Sequence, residues 1–150
     1  MNDQEYNFTI YYLEQYWEEM RHIEQLRFNI SSLIVTLAAL ISGFAVQQEF
    51  NDETIIMSIF IITLGLFGAI MVRKLYQLHQ SDQEKLDKWH AYLDSKIPNS
   101  QVISLRDTAN IEHKRKFPIL SKIPHNYFWF TLHLFISFTG IIILIITLSK

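Results

Sequence analysis

The chain has 150 residues, 49% of them hydrophobic and 19% charged, with a formal net charge of −2 and no cysteine. The missing thiol excludes disulfides, thiolate metal sites and cysteine nucleophiles. Averages this close to a globular chain hide an uneven distribution of charge.

Residues 1–27 carry Asp3, Glu5, Glu14, Glu18, Glu19 and Glu24 against Arg21 and Arg27, a net of −4. Such a polar, acidic stretch is not expected to act as a cleavable signal peptide. Phe28 to Val46 then carries no Asp, Glu, Lys or Arg for 19 residues. Neither glycine before Gly43 nor proline interrupts Gln4 to Val46, so the sequence predicts one helix running from a soluble rod into a membrane span. The connector Gln47 to Glu53 holds Glu49, Asp52 and Glu53 and no base.

A second uncharged run, Thr54 to Val72, has 19 residues, and Arg73 to Lys96 follows without glycine or proline. Ile97-Pro98-Asn99 is expected to end that helix, because a residue before proline is pushed out of helical geometry. Residues 97–126 hold all three prolines and read as a loop with one short helix near Val102 to Lys116. The third uncharged run, Tyr127 to Leu148, has 22 residues.

A helix needs roughly 20 apolar residues to cross the hydrocarbon core, and soluble helices keep one face wet. The expected fold is an all-α membrane protein with three transmembrane helices, the first two extended into a cytoplasmic antiparallel helix pair. Its parts are 1–96, a transmembrane hairpin with long helical extensions, 97–126, a basic loop with a short helix, and 127–150, the third span. Twelve of the thirteen Lys and Arg residues lie on one side of the spans. Positive charge near span ends is retained inside, which places the N-terminus and 73–126 in the cytoplasm and 47–53 and the C-terminus outside. Arg73 and Lys74 anchor this orientation, and Tyr127, Trp129 and their Phe neighbours suit the cytoplasmic interface.

Both rods carry apolar stripes: Ile10, Leu13, Trp17, Met20 and Ile23 on the first, and Leu75, Leu78, Leu86, Trp89 and Leu93 on the second, interrupted by Asp82. Equal rods of about 24 residues, roughly 36 Å, predict antiparallel pairing in which residue numbers add to about 101–103. Leu13 then faces Trp89, Trp17 faces Leu86, Ile10 faces Leu93, and Glu14 and Glu18 approach Lys88 and Lys85. A helix lying flat on the membrane is the alternative, disfavoured by its acidic balance.

Within the membrane, His22, Gln25, Asn29, Ser32, Thr36, Ala39 and Gly43 form a polar and small stripe at 3–4 spacing. Small residues permit close helix approach where lipid provides no hydrophobic drive, and Gly65-xxx-Ala69 repeats the pattern in the second span. Such a stripe packs helices within one chain or between copies, or it lines a water-filled path in an oligomer. His133 is the readily titratable side chain of the uncharged runs; it either hydrogen-bonds to a neighbouring helix or serves a proton- or ion-linked role. His22 and His79 fall at one level of the predicted register, as surface histidines or as a pH-sensitive contact. Lys114-Arg115-Lys116 is a basic triplet suited to anionic lipid or a phosphate.

Catalytic patterns are weak. Glu19-xx-His22 and Asp87-xx-His90 have di-iron spacing, but the predicted register sets them roughly 15 Å apart. Arg73 and His79 match HEPN-type ribonucleases in two residues only. No phosphate-binding glycine loop or His-Glu-xx-His motif is present, so neither enzyme activity, cofactor, metal nor nucleic acid is expected.

The run Tyr16-Trp17-Glu18-Glu19-Met20-Arg21-His22 entering the first span, with Arg73-Lys74 leaving the second, resembles small bacterial membrane effectors of the SLATT-like type. These pair a transmembrane hairpin with flanking cytoplasmic helices, and the resemblance covers about residues 5–96, with the third span as a departure. It implies a self-associating, pore-forming or membrane-disrupting effector of the bacterial inner membrane, acting in antiphage defence under a cytoplasmic partner or signal. The contrasting expectation is a non-catalytic scaffold, with Tyr6, Phe8, Tyr11, Tyr12 and Tyr16 forming part of a binding patch.

Overall fold

The computed structural model describes residues 3–97 and 100–150. The described residues form four α-helices, α1 (Asp3–Gln47), α2 (Glu53–Lys96), α3 (Val102–Lys116) and α4 (His125–Leu148), with a 3₁₀ turn at Leu120–Lys122. No strand occurs among the described residues. α1 and α2 are unbroken over 45 and 44 residues, about 66 Å each. Together with α4, they are long and apolar enough to cross a membrane. α2 ends at Lys96, while Pro98 and Asn99 of the expected stop signal lie outside the described residues. α3 occupies the segment expected from sequence.

The chain divides into two compact units: residues 1–24 with 77–124, and 25–76 with 125–150. In the second, Ile34, Ala38, Ala45, Ile61, Ile136 and Ile143 form the buried core, backed by Ile30, Ile41, Phe50, Met57 and Leu64. The α2–α4 contact is an antiparallel seam of small residues. A methyl group on Gly65 would overlap Ser137 and the His133 carbonyl, one on Gly68 would overlap the His133 ring, and one on Gly140 would meet Ile62 and Ser58. The Ser137 hydroxyl donates to the Ile62 carbonyl across this seam, at 3.1 Å. Gly65-xxx-Ala69 is thus an internal packing seam.

The α1–α2 turn closes by a Schellman arrangement. Phe50 N–H bonds the Ala45 carbonyl at 3.3 Å and Glu49 N–H bonds that of Val46 at 3.0 Å, with Phe50 packed on the core. Glu49 (φ 52°) and Phe50 (φ 58°) take the left-handed conformation that this motif usually assigns to glycine. Lys150 reaches the same turn, donating to the Glu49 carbonyl at 2.6 Å, with its ammonium 5.5 Å from the Phe50 ring centre.

In the other unit the two rods pair antiparallel. Tyr12 stacks on Trp89 at 5.7 Å, the Lys85 ammonium lies 5.6 Å from the Tyr16 ring centre, and His79 Nδ1 meets Glu24 at 3.7 Å. These pairs follow the expected register, but the faces differ from the expected stripes. Trp17 and Leu78 are exposed, whereas Thr9, Met20, Ile23, Asp82, Leu86 and Leu93 are buried. Tyr12 rather than Leu13 meets Trp89, in a stacked aromatic pair. Lys85 bonds Asp82 of its own helix at 2.7 Å. That bond holds the ammonium above its ordinary range and lets Asp82 sit inside an otherwise apolar stripe.

α3 has no buried residue. Its attachment is polar. Asp94, near the end of α2, accepts bonds from the Ser100 hydroxyl and from the backbone amides of Val102 (3.1 Å) and Ile103 (3.0 Å). A carboxylate therefore caps the α3 N-terminus from outside the helix, where the dipole favours it. The Ser100 bond first, then the Ile103 amide, holds the Asp94 carboxyl below the usual carboxylate range. Arg106, one turn further on, pairs with Asp87.

Candidate functional site on the outer face of α1

At 100° per residue, α1 carries two interleaved 3–4 series along its apolar, membrane-length part. Arg27, Ser31, Ile34, Ala38 and Ala45 are buried, whereas Asn29, Ser32, Thr36, Ala39 and Gly43 are exposed, as are His22 and Gln25. The second series lies roughly 150° around the helix from the first. The packed interior of this unit is therefore built on the first series and not on the stripe. The stripe faces outward along its whole length, flanked by Leu33, Leu40 and Phe44 on one side and Phe28, Val35 and Val46 on the other.

The outer faces of the other spans differ. α2 presents Ile56, Ile59, Phe60, Leu66, Phe67 and Ile70, and α4 presents Phe128, Phe135, Phe138, Ile142 and Ile145. Those are large apolar surfaces suited to lipid. On α1, an open depression of about 280 Å³ lies beside Ala39, Leu40, Gly43, Phe44 and Gln47. Thr36 satisfies its hydroxyl on the Ser32 carbonyl at 2.8 Å, which lowers the cost of facing lipid. Asn29 is the stronger signal, since an amide carries more hydrogen-bonding groups than one carbonyl can satisfy.

His133 is fully buried, with Nε2 3.0 Å from the Ser31 hydroxyl and its ring seated on Gly68. Its Nδ1 has no hydrogen-bond partner among the described residues. His133 therefore ties α4 to α1 while resting on α2. His22 is exposed, and His79 faces Glu24 at 3.7 Å. Lys114, Arg115 and Lys116 are exposed in the last turn of α3, where cations complement the helix dipole.

Arg27 is a functional candidate that its place beside an apolar run conceals. It is 1% exposed, with its guanidinium 5.7 Å from the centre of the Trp129 ring. As the last charge before an apolar run it reads as a boundary marker. Its place in the series Ile23, Arg27, Ser31, Ile34 was the available signal. Among the described residues no group of three or more His, Cys, Asp or Glu side chains converges as a metal site. No protein family, characterised protein or solved structure matches the chain.

Proposed function

We propose that the protein is a homo-oligomeric effector of a bacterial inner membrane, in which copies associate through the α1 stripe and form or open a permeation path. The observation that carries this reading is the outward stripe of Asn29, Ser32, Thr36, Ala39 and Gly43 on a membrane-length helix whose opposite face already fills the core. Facing lipid, Asn29 loses hydrogen bonds to water and gains none. A second copy supplies them and fits closely against Ala39 and Gly43. Three helices enclose no wide channel, so a polar path requires several subunits, with Asn29, Ser32 and Thr36 as rings.

In this reading the N-terminus and 73–126 are cytoplasmic and the C-terminus is outside. The paired rods, continuous with both spans, receive a partner or signal. The resemblance to SLATT-like effectors supports antiphage defence as the setting. The mass of the solubilised particle and the response of a membrane-potential dye after induced expression test the proposal. Several copies per particle and depolarisation weakened by Asn29→Leu and Thr36→Leu are expected. A strict monomer, or depolarisation indifferent to both changes, would overturn it.

A second reading, a non-catalytic scaffold, draws on an open groove of about 510 Å³ lined by Glu5, Phe8, Thr9, Lys88, Trp89 and Tyr92. Aromatic walls with one acid and one base suit a peptide segment better than lipid. Recovery of a stoichiometric partner without conductance in liposomes would favour it over the pore.

A further inference from the structure

The segment between α3 and α4 concentrates two kinds of surface. Residues 113–126 hold Lys114, Arg115, Lys116 and Lys122 and no acid. Interleaved with these bases, Phe117, Ile119, Leu120 and Ile123 are 41%, 75%, 68% and 55% exposed. Four large apolar side chains left open within seven residues are more than scattered surface exposure explains. The backbone around them is ordered by turns: Ser121 N–H bonds Phe117, Lys122 N–H bonds Ile119 and Ile123 N–H bonds Leu120, at 3.0, 3.1 and 3.1 Å.

Chain length ties this segment to the membrane boundary. The membrane-length apolar stretch of α4 begins at Asn126, and three residues of chain keep Ile123 within about 10 Å of it. The turns from Phe117 to Ile123, at about 2 Å per residue, add roughly 12 Å more. Tyr127 and Phe128, in the first turn of α4, are exposed as well. Nothing buried holds α3 from the other side, since its attachments are Asp94 and the Asp87–Arg106 pair.

We infer that residues 114–123 form an interfacial anchor that docks on an anionic lipid surface. Phe117, Ile119, Leu120 and Ile123 enter the headgroup boundary, while Lys114, Arg115, Lys116 and Lys122 contact lipid phosphates. Apolar insertion combined with polybasic attraction is the two-part binding that such surfaces use. The anchor is independent of pore formation.

Because the chain has no cysteine, Leu120→Cys accepts one environment-sensitive nitrobenzoxadiazole label on the full-length protein. In vesicles of phosphatidylglycerol and phosphatidylcholine, the expected signal is a blue-shifted emission quenched by spin-labelled lipid and shielded from aqueous iodide. A control label at Leu105→Cys on α3 should stay iodide-accessible. Replacing Lys114, Arg115 and Lys116 by Gln should lower the docked-to-free ratio about a hundredfold, each charge contributing a factor of about five. These exposed positions leave helix content unchanged, which circular dichroism verifies. The inference is overturned by a label open to iodide in both lipids, or by equal depth in phosphatidylcholine alone. Shielding that appears in lipid-free micelles and rises with protein concentration would assign the patch to a second copy instead.

Discussion

Ala39-xxx-Gly43 in α1 and Gly65-xxx-Ala69 in α2 share one spacing and have opposite fates. Gly65 and Ala69 are buried, and α4 presses so closely that a methyl on Gly65 would sit 2.6 Å from the Ser137 amide nitrogen and 2.7 Å from the His133 carbonyl oxygen. At Gly43, beyond the adjoining residues and backbone of its own helix, nothing lies within 4 Å of the place its methyl would take. The spacing therefore reports a capacity for close approach and leaves the partner unspecified. Inside the chain the Gly65 seam is closed by α4, whereas Ala39 and Gly43 are exposed.

The largest expected effect breaks the closed seam. Gly65→Ala should destabilise the protein by about 3 kcal/mol, because backbone atoms cannot swing aside as a side-chain tip would. Gly43→Ala should instead stabilise by about 0.5–1 kcal/mol, the ordinary helix preference for alanine. Unfolding in mixed micelles measures both, and equal tolerance at the two glycines would remove the distinction.

The open seam is tested by association. Asn29→Leu and Thr36→Leu should each weaken self-association by about 1–2 kcal/mol, close to tenfold, read as energy transfer between labelled copies on detergent dilution. Monomer unfolding should not change. Stronger association in both variants would mean that the stripe opposes assembly.

This asymmetry was only half legible in the sequence. The three spans follow from uncharged runs, and the rod register follows from two equal breaker-free lengths. The face of α1 that turns inward does not follow. Two series at helical spacing, one through Arg27, Ser31 and Ala38 and one through Asn29, Thr36 and Gly43, both mix polar and small residues. Periodicity alone ranks them equally. Arg27 was masked by its position at the edge of an apolar run, although Trp129, about a hundred residues away in sequence, gives the buried cation a ring to face. The Asp94 cap was equally hidden, since it joins α2 to the start of α3 across a loop.

A change in the hairpin turn separates stability from association. Glu49 sits at φ 52°, where a side chain costs roughly 1 kcal/mol relative to glycine. Glu49→Gly should thus stabilise by about 1 kcal/mol while preserving the carbonyl that receives Lys150. Association measured as above should not move. A smaller effect belongs to the Ser31–His133 bond that joins α1 to α4. A double-mutant cycle with Ser31→Ala and His133→Ala should give a coupling of about 0.6 kcal/mol. Zero coupling would reduce His133 to a packed ring on Gly68.

The most local effect concerns α3, whose attachment contrasts with both seams because nothing on it is buried. Asp94 has a folded pKa below its unfolded one, so its contribution is fully present above the unfolded value of about 3.9. It is lost as pH falls through the lower folded value. The cap consequently survives mild acidification and opens only in strong acid, unlike a histidine contact, which would respond near pH 6.5. Hydrogen exchange at the Val102 and Ile103 amides reads this directly. Asp94→Ala should speed their exchange at neutral pH and abolish the acid transition, with protection in the α2–α4 seam unchanged. Exchange that accelerates in the wild type near pH 6.5 would take control of α3 away from Asp94 and give it to a histidine.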